Sequence, residues 1–163
     1  MAHGAAVRII YDQSFTGGKV MALITNIGTS DLAKSTAADP RVPGTGTIDA
    51  SVLNNAATDP RLSIEKISWN ISGATSGKIF NVVFEGAAVN ASDDEISFSL
   101  GGNGHWGKSH TAALDAAVTN NASSPSGDVS IITVGHAAAS DTTSIVVILK
   151  KESGYGTRSD YSG

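Results

Sequence analysis

The chain has 163 residues, of which 75 are Ala, Gly, Ser or Thr, and its 11 basic and 15 acidic side chains give a formal charge of −4. That length suits one domain, and the acidic balance argues against nucleic acid as a partner. The lack of cysteine excludes a disulfide scaffold, a Cys-ligated metal and a thiol nucleophile.

No apolar run reaches the ~18 residues of a membrane-spanning helix. The opening Met-Ala-His-Gly-Ala-Ala-Val-Arg has no basic region followed by an apolar stretch. Neither a membrane partner nor a secretory leader is therefore expected. Ile, Val and Thr number 40 against seven Leu, two Met and four Glu. Stiff β-branched side chains favour the pleated backbone, whereas helices lean on Leu, Met, Glu and Lys.

In chain order, Val7, Ile9 and Tyr11 alternate with Arg8 and Ile10 as a first strand, and a second runs from about Lys19 to Ile27 after Gly17-Gly18. Residues 28–61 are the least regular stretch and hold Pro40, Pro43 and Pro60. Within it Ser30 and Asp49 are each placed to cap one helical turn. Asp-Pro-Arg occurs at 39–41 and 59–61, as a turn triplet rather than a repeat unit.

From Arg61 the strand signal strengthens. Leu62 and Ile64 share one phase, and Ile67, Trp69 and Ile71 the other, which predicts a β-bulge near Glu65-Lys66. After a turn at Gly73–Gly77, Phe80, Val82 and Phe84 alternate, and then Ile96, Phe98 and Leu100 against Ser97 and Ser99. Val129–Val134 and Ile145–Leu149 complete seven or eight short strands. Ser109–Val118 is the one helix candidate.

Two patterns invite a chemical reading. Gly102–Ser109 fits G-x-x-x-x-G-K-[ST], with Lys108 placed to neutralise phosphate and Ser109 to hold magnesium, and Gly102, Gly104 and Gly107 fit G-x-G-x-x-G. A phosphate-binding loop follows a buried parallel strand that is almost continuously apolar. Ile96-Ser-Phe-Ser-Leu100 is half polar, and the alternating helices of a doubly wound fold are missing. A glycine-rich turn carrying a packed Trp106 is the preferred reading, and nucleotide binding is the remote alternative.

His105 and His110, with Asp115 and His136, approach zinc-ligand spacing without a complete pattern. Asp93-Asp94-Glu95 lacks the rest of a calcium loop. No Gly-x-Ser-x-Gly elbow occurs. The sequence thus predicts no enzyme, no cofactor and no metal.

Several ordered segments carry a resemblance. They are Ile64-Glu-Lys-Ile-Ser-Trp69-Asn-Ile-Ser-Gly73, Ser99-Leu-Gly-Gly-Asn103-Gly104-His-Trp106, Asn120-Asn121-Ala122, Ser126-Gly127-Asp128-Val129 and Asp141-Thr-Thr-Ser-Ile145-Val-Val-Ile-Leu-Lys150. In order and spacing this set resembles a group of small tailed-phage virion proteins, many from marine phages. The match covers about residues 60–151, and more loosely 5–60 through Ile48–Leu53. It departs at Ser140-Asp141-Thr142-Thr143, where the group has a Gly-Asp-Thr-Tyr-like start, and Lys108-Ser109 is not a feature of the group.

The resemblance implies a virion structural protein. The strand pattern itself reads as a β-sandwich or barrel, and the expectation is an all-β, antiparallel β-sandwich of jelly-roll type with one or two short helices, a single domain over 1–151 and a C-terminal arm over 152–163. Tyr155, Arg158 and Tyr161 on that arm are the candidate partner contacts. The expected role is a capsid decoration or cement protein, made in the host cytoplasm, homo-oligomeric, and bound to the major capsid protein or other virion proteins. A tail, neck or baseplate component or a carbohydrate-binding module is the nearer alternative. Exposed Trp or Tyr clustered beside Asp and Asn would favour the latter.

Overall fold

The structure, a computed structural model, describes residues 6–25, 46–72, 79–86, 94–107, 117–121, 125–134 and 142–157. Among them the chain is all-β. The strands are β1 (Val7–Asp12), β2 (Lys19–Thr25), β3 (Thr47–Ile48), β4 (Ala56–Ser72), β5 (Ile79–Gly86), β6 (Glu95–Leu100), β7 (Asn103–Gly107), β8 (Pro125–Val134) and β9 (Thr142–Tyr155). One 3-10 turn, Ala50–Val52, precedes β4. The Asp49 side chain caps it, accepting from the Ser51 N–H at 2.9 Å as its place before the turn predicts.

Strand order is β1-β2-β9-β4-β7 in a five-stranded sheet and β3-β8-β5-β6 in a four-stranded one. Every pairing is antiparallel. Four of the pairings join the chain inward from its two ends: β2 with β9, β3 with β8, β4 with β7 and β5 with β6. That is the pattern of one long hairpin rolled up, with β9 then closing on β4 and β8 on β5.

Inward residues of both sheets meet in one hydrophobic cluster that includes Val20, Ile24, Ile64, Ile67, Val147 and Leu149 from the larger sheet and Phe80, Phe84, Val129 and Ile131 from the smaller. Burial of each such side chain contributes about 1.5–3 kcal/mol. Phe98 of β6 and Trp106 of β7 meet with ring centroids 5.0 Å apart, joining the edge strands of the two sheets.

Bulges set which side chains face in. The register of β4 against β9 shifts between Ile64 and Lys66, so the two apolar phases read from the sequence both reach the core, Ile64 and Ile67 being fully buried. A second shift, between Ile9 and Tyr11, turns Ile10 and Tyr11 outward. Simple alternation had put Tyr11 in phase with Val7 and Ile9. A third shift, opposite Val82 and Val83, separates Ile96 from Phe98 and leaves Ile96 exposed, where alternation would have buried it. One extra residue in a strand reverses the facing of everything beyond it.

The second Asp-Pro-Arg lies inside the long strand β4. Asp59 takes a positive φ of 50° there, and Pro60 passes between two strands that both present glycine. A Cβ on Gly127 would sit 1.9 Å from the Pro60 carbonyl oxygen, and one on Gly154 2.4 Å from its Cα. Both glycines also have positive φ, so no other residue fits either place.

Three further expectations change. The Gly101–His110 segment is not all turn, since Asn103–Gly107 is a paired strand. The C-terminal end of the helix candidate is not helical, because Val118 forms an antiparallel bridge with Ile64. β9 runs through Tyr155, so the limit expected at residue 151 falls within a strand. The turns expected at Ser30 and Gly73–Gly77, the first Asp-Pro-Arg and residues 108–116 lie outside the described residues.

Candidate interaction surface

The glycine motif resolves into packing. Asn103–Gly107 is extended and registered against Asn70–Lys66, so its successive N–H groups alternate in direction instead of converging on a phosphate. Gly104 lies under the Trp69 ring, where a Cβ would come 2.7 Å from Cζ2. A Cβ on Gly107 would lie 2.3 Å from the Glu65 carbonyl oxygen. Trp69 Nε1–H donates to the Gly101 carbonyl at 3.0 Å and anchors the turn before β7. Lys108 and Ser109 lie outside the described residues.

The other candidates are dispersed. His105 is exposed on β7, and His110, Asp115 and His136 lie outside the described residues. Among the described residues no group of three His, Cys, Asp or Glu side chains could hold a metal ion. Asp94 accepts from the Gly86 N–H at 2.8 Å, and Glu95 from the Asn121 N–H at 2.8 Å, which ties the β5–β6 end to a neighbouring segment. Both tryptophans pack against the core.

Tyr155 does not present its ring to a neighbour. It is 7% exposed, and its hydroxyl donates to the Ala50 carbonyl at 3.1 Å. Burial, with Asp12, Asp128 and Asp49 nearby, pushes its pKa well above the ordinary tyrosine value. Arg158 and Tyr161, the other two arm candidates, lie outside the described residues.

Tyr155 instead belongs to a polar knot that fastens the end of β9. Lys151 is fully buried, and its Nζ lies 2.6 Å from Asp12 Oδ1, 2.7 Å from the Asn54 carbonyl and 4.5 Å from the centre of the Tyr155 ring. Asp12 also accepts from the Asn54 N–H at 2.7 Å, and Asp128 from the Ala50 N–H at 2.8 Å. Thr16 hydroxyl donates to the Tyr155 carbonyl at 2.9 Å. A buried ammonium with an anion, a carbonyl and a π face around it has the partners its desolvation requires. The knot is structural chemistry. It holds the first hairpin, the 3-10 turn and the last strand together.

A different surface stands out on the larger sheet. Its outward side is fixed by register, because directly paired residues share a face. One row across the sheet reads Arg8, Leu23, Val146, Ser68 and His105, and the next Tyr11, Met21, Ile148 and Lys66. The central four, Met21, Leu23, Val146 and Ile148, are half-buried aliphatic or thioether side chains. A solvated antiparallel face should be polar at these positions, as β4 is at Lys66, Ser68 and Asn70.

Sequence reading had not singled out this surface. The signal was the near-continuous apolar run in both Val20–Ile24 and Ile145–Leu149, which marks strands apolar on both sides.

Compared with known proteins, the chain matches no family model, no curated protein and no solved structure.

Proposed function

We propose that the chain is a non-enzymatic structural protein of a tailed-phage virion, a decoration or cement protein with a jelly-roll fold that bridges neighbouring subunits of the capsid lattice. Two interleaved Greek keys make a jelly roll, and the order β2-β9-β4-β7 over β3-β8-β5-β6 supports that description. The observation that carries the functional reading is the apolar outward face of the five-stranded sheet, which favours a protein whose work is contact. The residue pattern shared with small virion proteins supplies the setting.

In this reading several copies act together, and modest contacts at each copy add through avidity. Arg158 and Tyr161, which follow β9 in the sequence, are kept in this reading as further partner contacts. The major capsid protein is the partner and the capsid exterior the location.

The test is a density map of the intact particle at a resolution that traces strands. Nine-stranded density of this pairing on the outer capsid surface is the expected result. The same density in the tail, neck or baseplate, or its absence from purified particles, overturns the decoration reading.

A further inference from the structure

The outward face of β1-β2-β9-β4-β7 has a charge pattern as well as an apolar centre. Arg8 and Lys66 close the two central rows at opposite sides and are both exposed. Lys19 and Lys150 pair across β2 and β9 and form the next row, with Ser63 beyond them on β4. Lys19 bonds to Glu65 at the bulge, and Lys150 lies 3.5 Å from Glu152. Four cations and two carboxylates thus rim the patch, in a chain whose formal charge is −4. The opposite end of the face, Thr25, Ser144, Asn70 and Asn103, is neutral.

At about 4.8 Å between strands and about 6.8 Å between same-side residues, these four rows cover roughly 20 Å by 20 Å. That is about 400 Å² a side, the size of a weak contact, which becomes effective when several copies engage together.

We infer that this face docks onto a protein surface with an apolar centre and a carboxylate-rich rim. The inference rests on the virion reading for where that partner is sought. Charge selects the occupant. With Lys19 and Lys150 offset by Glu65 and Glu152, the net positive charge of the rim comes from Arg8 and Lys66, and an isologous pairing of two copies through this face would set that net charge against itself. A complementary acidic rim draws the partner in and fixes its register, while the apolar centre sets how long it stays. A nucleic acid would leave Met21, Leu23, Val146 and Ile148 without apolar contact.

The experiment uses the full-length chain. Particles assembled without it are mixed with wild type, Ile148→Asp, the Arg8→Glu/Lys66→Glu double variant and Ile96→Asp, and bound protein is measured after sedimentation at low and high salt. Circular dichroism checks that each variant is folded. Ile148→Asp is expected to lower occupancy at least tenfold. The double charge reversal should lower it several-fold and flatten its salt dependence, and Ile96→Asp on the other sheet should leave it unchanged. Wild-type occupancy by Ile148→Asp overturns the docking face and leaves the virion reading standing.

A second measurement is independent of the particle. Methyl spectra of the wild type are recorded with a strand peptide of alternating Leu and Glu, and with its Leu and Lys counterpart. Shifts confined to Met21, Leu23, Val146 and Ile148, caused by the Glu peptide alone, are expected. That result without particle binding overturns the virion reading alone. Equal response to both peptides, or response elsewhere, overturns the acidic-rimmed partner. Light scattering that shows a wild-type dimer abolished by Ile148→Asp puts a second copy on the face and overturns it too.

Discussion

On the outward side of the four-stranded sheet, Thr47, Ser130 and Val83 form one row across β3, β8 and β5, all at most 3% exposed. Thr47 and Ser130 hydroxyls bond to each other at 2.7 Å, and Ser130 donates to the buried Glu85 carboxylate. On the outward side of the five-stranded sheet, the corresponding positions of β2 and β9 carry Met21, Leu23, Val146 and Ile148, half-buried. Polar groups that folding removes from water must find partners within the chain, and the smaller sheet supplies them. An aliphatic face has no such requirement and can stay half-open until something covers it. The contrast separates a face whose polar groups are satisfied within the chain from one that keeps aliphatic side chains partly in water.

The largest expected effect comes from a second contrast, within the five-stranded sheet, between neighbours on β9 of which one faces in and one faces out. Lys151→Met leaves Asp12 at the knot without its cation and should cost about 3–5 kcal/mol, read from urea unfolding. Lys150→Met, on the outward rim, should change stability by less than about 0.5 kcal/mol in the same assay. Similar losses for both would remove the distinction between the inside of the knot and the rim.

Next in size is Glu85→Ala, which takes an acceptor from Ser130 and should cost about 1–3 kcal/mol, checked by thermal and urea melts. A neutral result would mean that the smaller sheet does not depend on its polar row.

Tyr155→Phe should cost about 1 kcal/mol at neutral pH through the lost bond to Ala50. It also tests a pH effect. The folded phenol holds its proton above the ordinary tyrosine pKa of about 10, while the unfolded phenol releases it. Wild-type stability contributed by this group is therefore full below pH ~10 and declines as pH rises beyond it. Unfolding free energies measured across that range should fall more steeply for wild type than for Tyr155→Phe.

Ile148→Thr should cost less than about 1 kcal/mol, because the side chain is already partly in water. A larger loss in urea unfolding would mean that the chain's own fold depends on that face.

Much of the fold was legible because it is local. The phase change between Ile64 and Ile67 identified the bulge at Glu65, and Asp49 before Ala50-Ser-Val52 identified the capped turn. Strand β7 was hidden because glycine reads as turn chemistry. Only the Trp69 ring above Gly104 and the β4 backbone beside Gly107 show that these glycines serve close packing within a strand. The candidate surface was partly legible, since two strands apolar on both sides are visible as runs. Tyr155 was misplaced because the Gly and Ser around it suggested a free arm, whereas Ala50, Asp12 and Lys151 surround it only after folding.

Composition and alternation by themselves determined an all-β, antiparallel chain, because β-branched content and a period of two are properties of neighbouring residues, while the 17-residue β4 and 14-residue β9 exceed the short strands the pattern predicts. Tertiary structure alone decided that β2 pairs with β9 and β4 with β7, that Lys151 is buried while Lys150 is not, and that Gly102–Gly107 holds a strand in place of a phosphate loop. Those outcomes depend on groups far apart in the chain. Burial, charge pairing and close backbone approach are fixed by what lies across the sheet, and no window of adjacent residues contains that information.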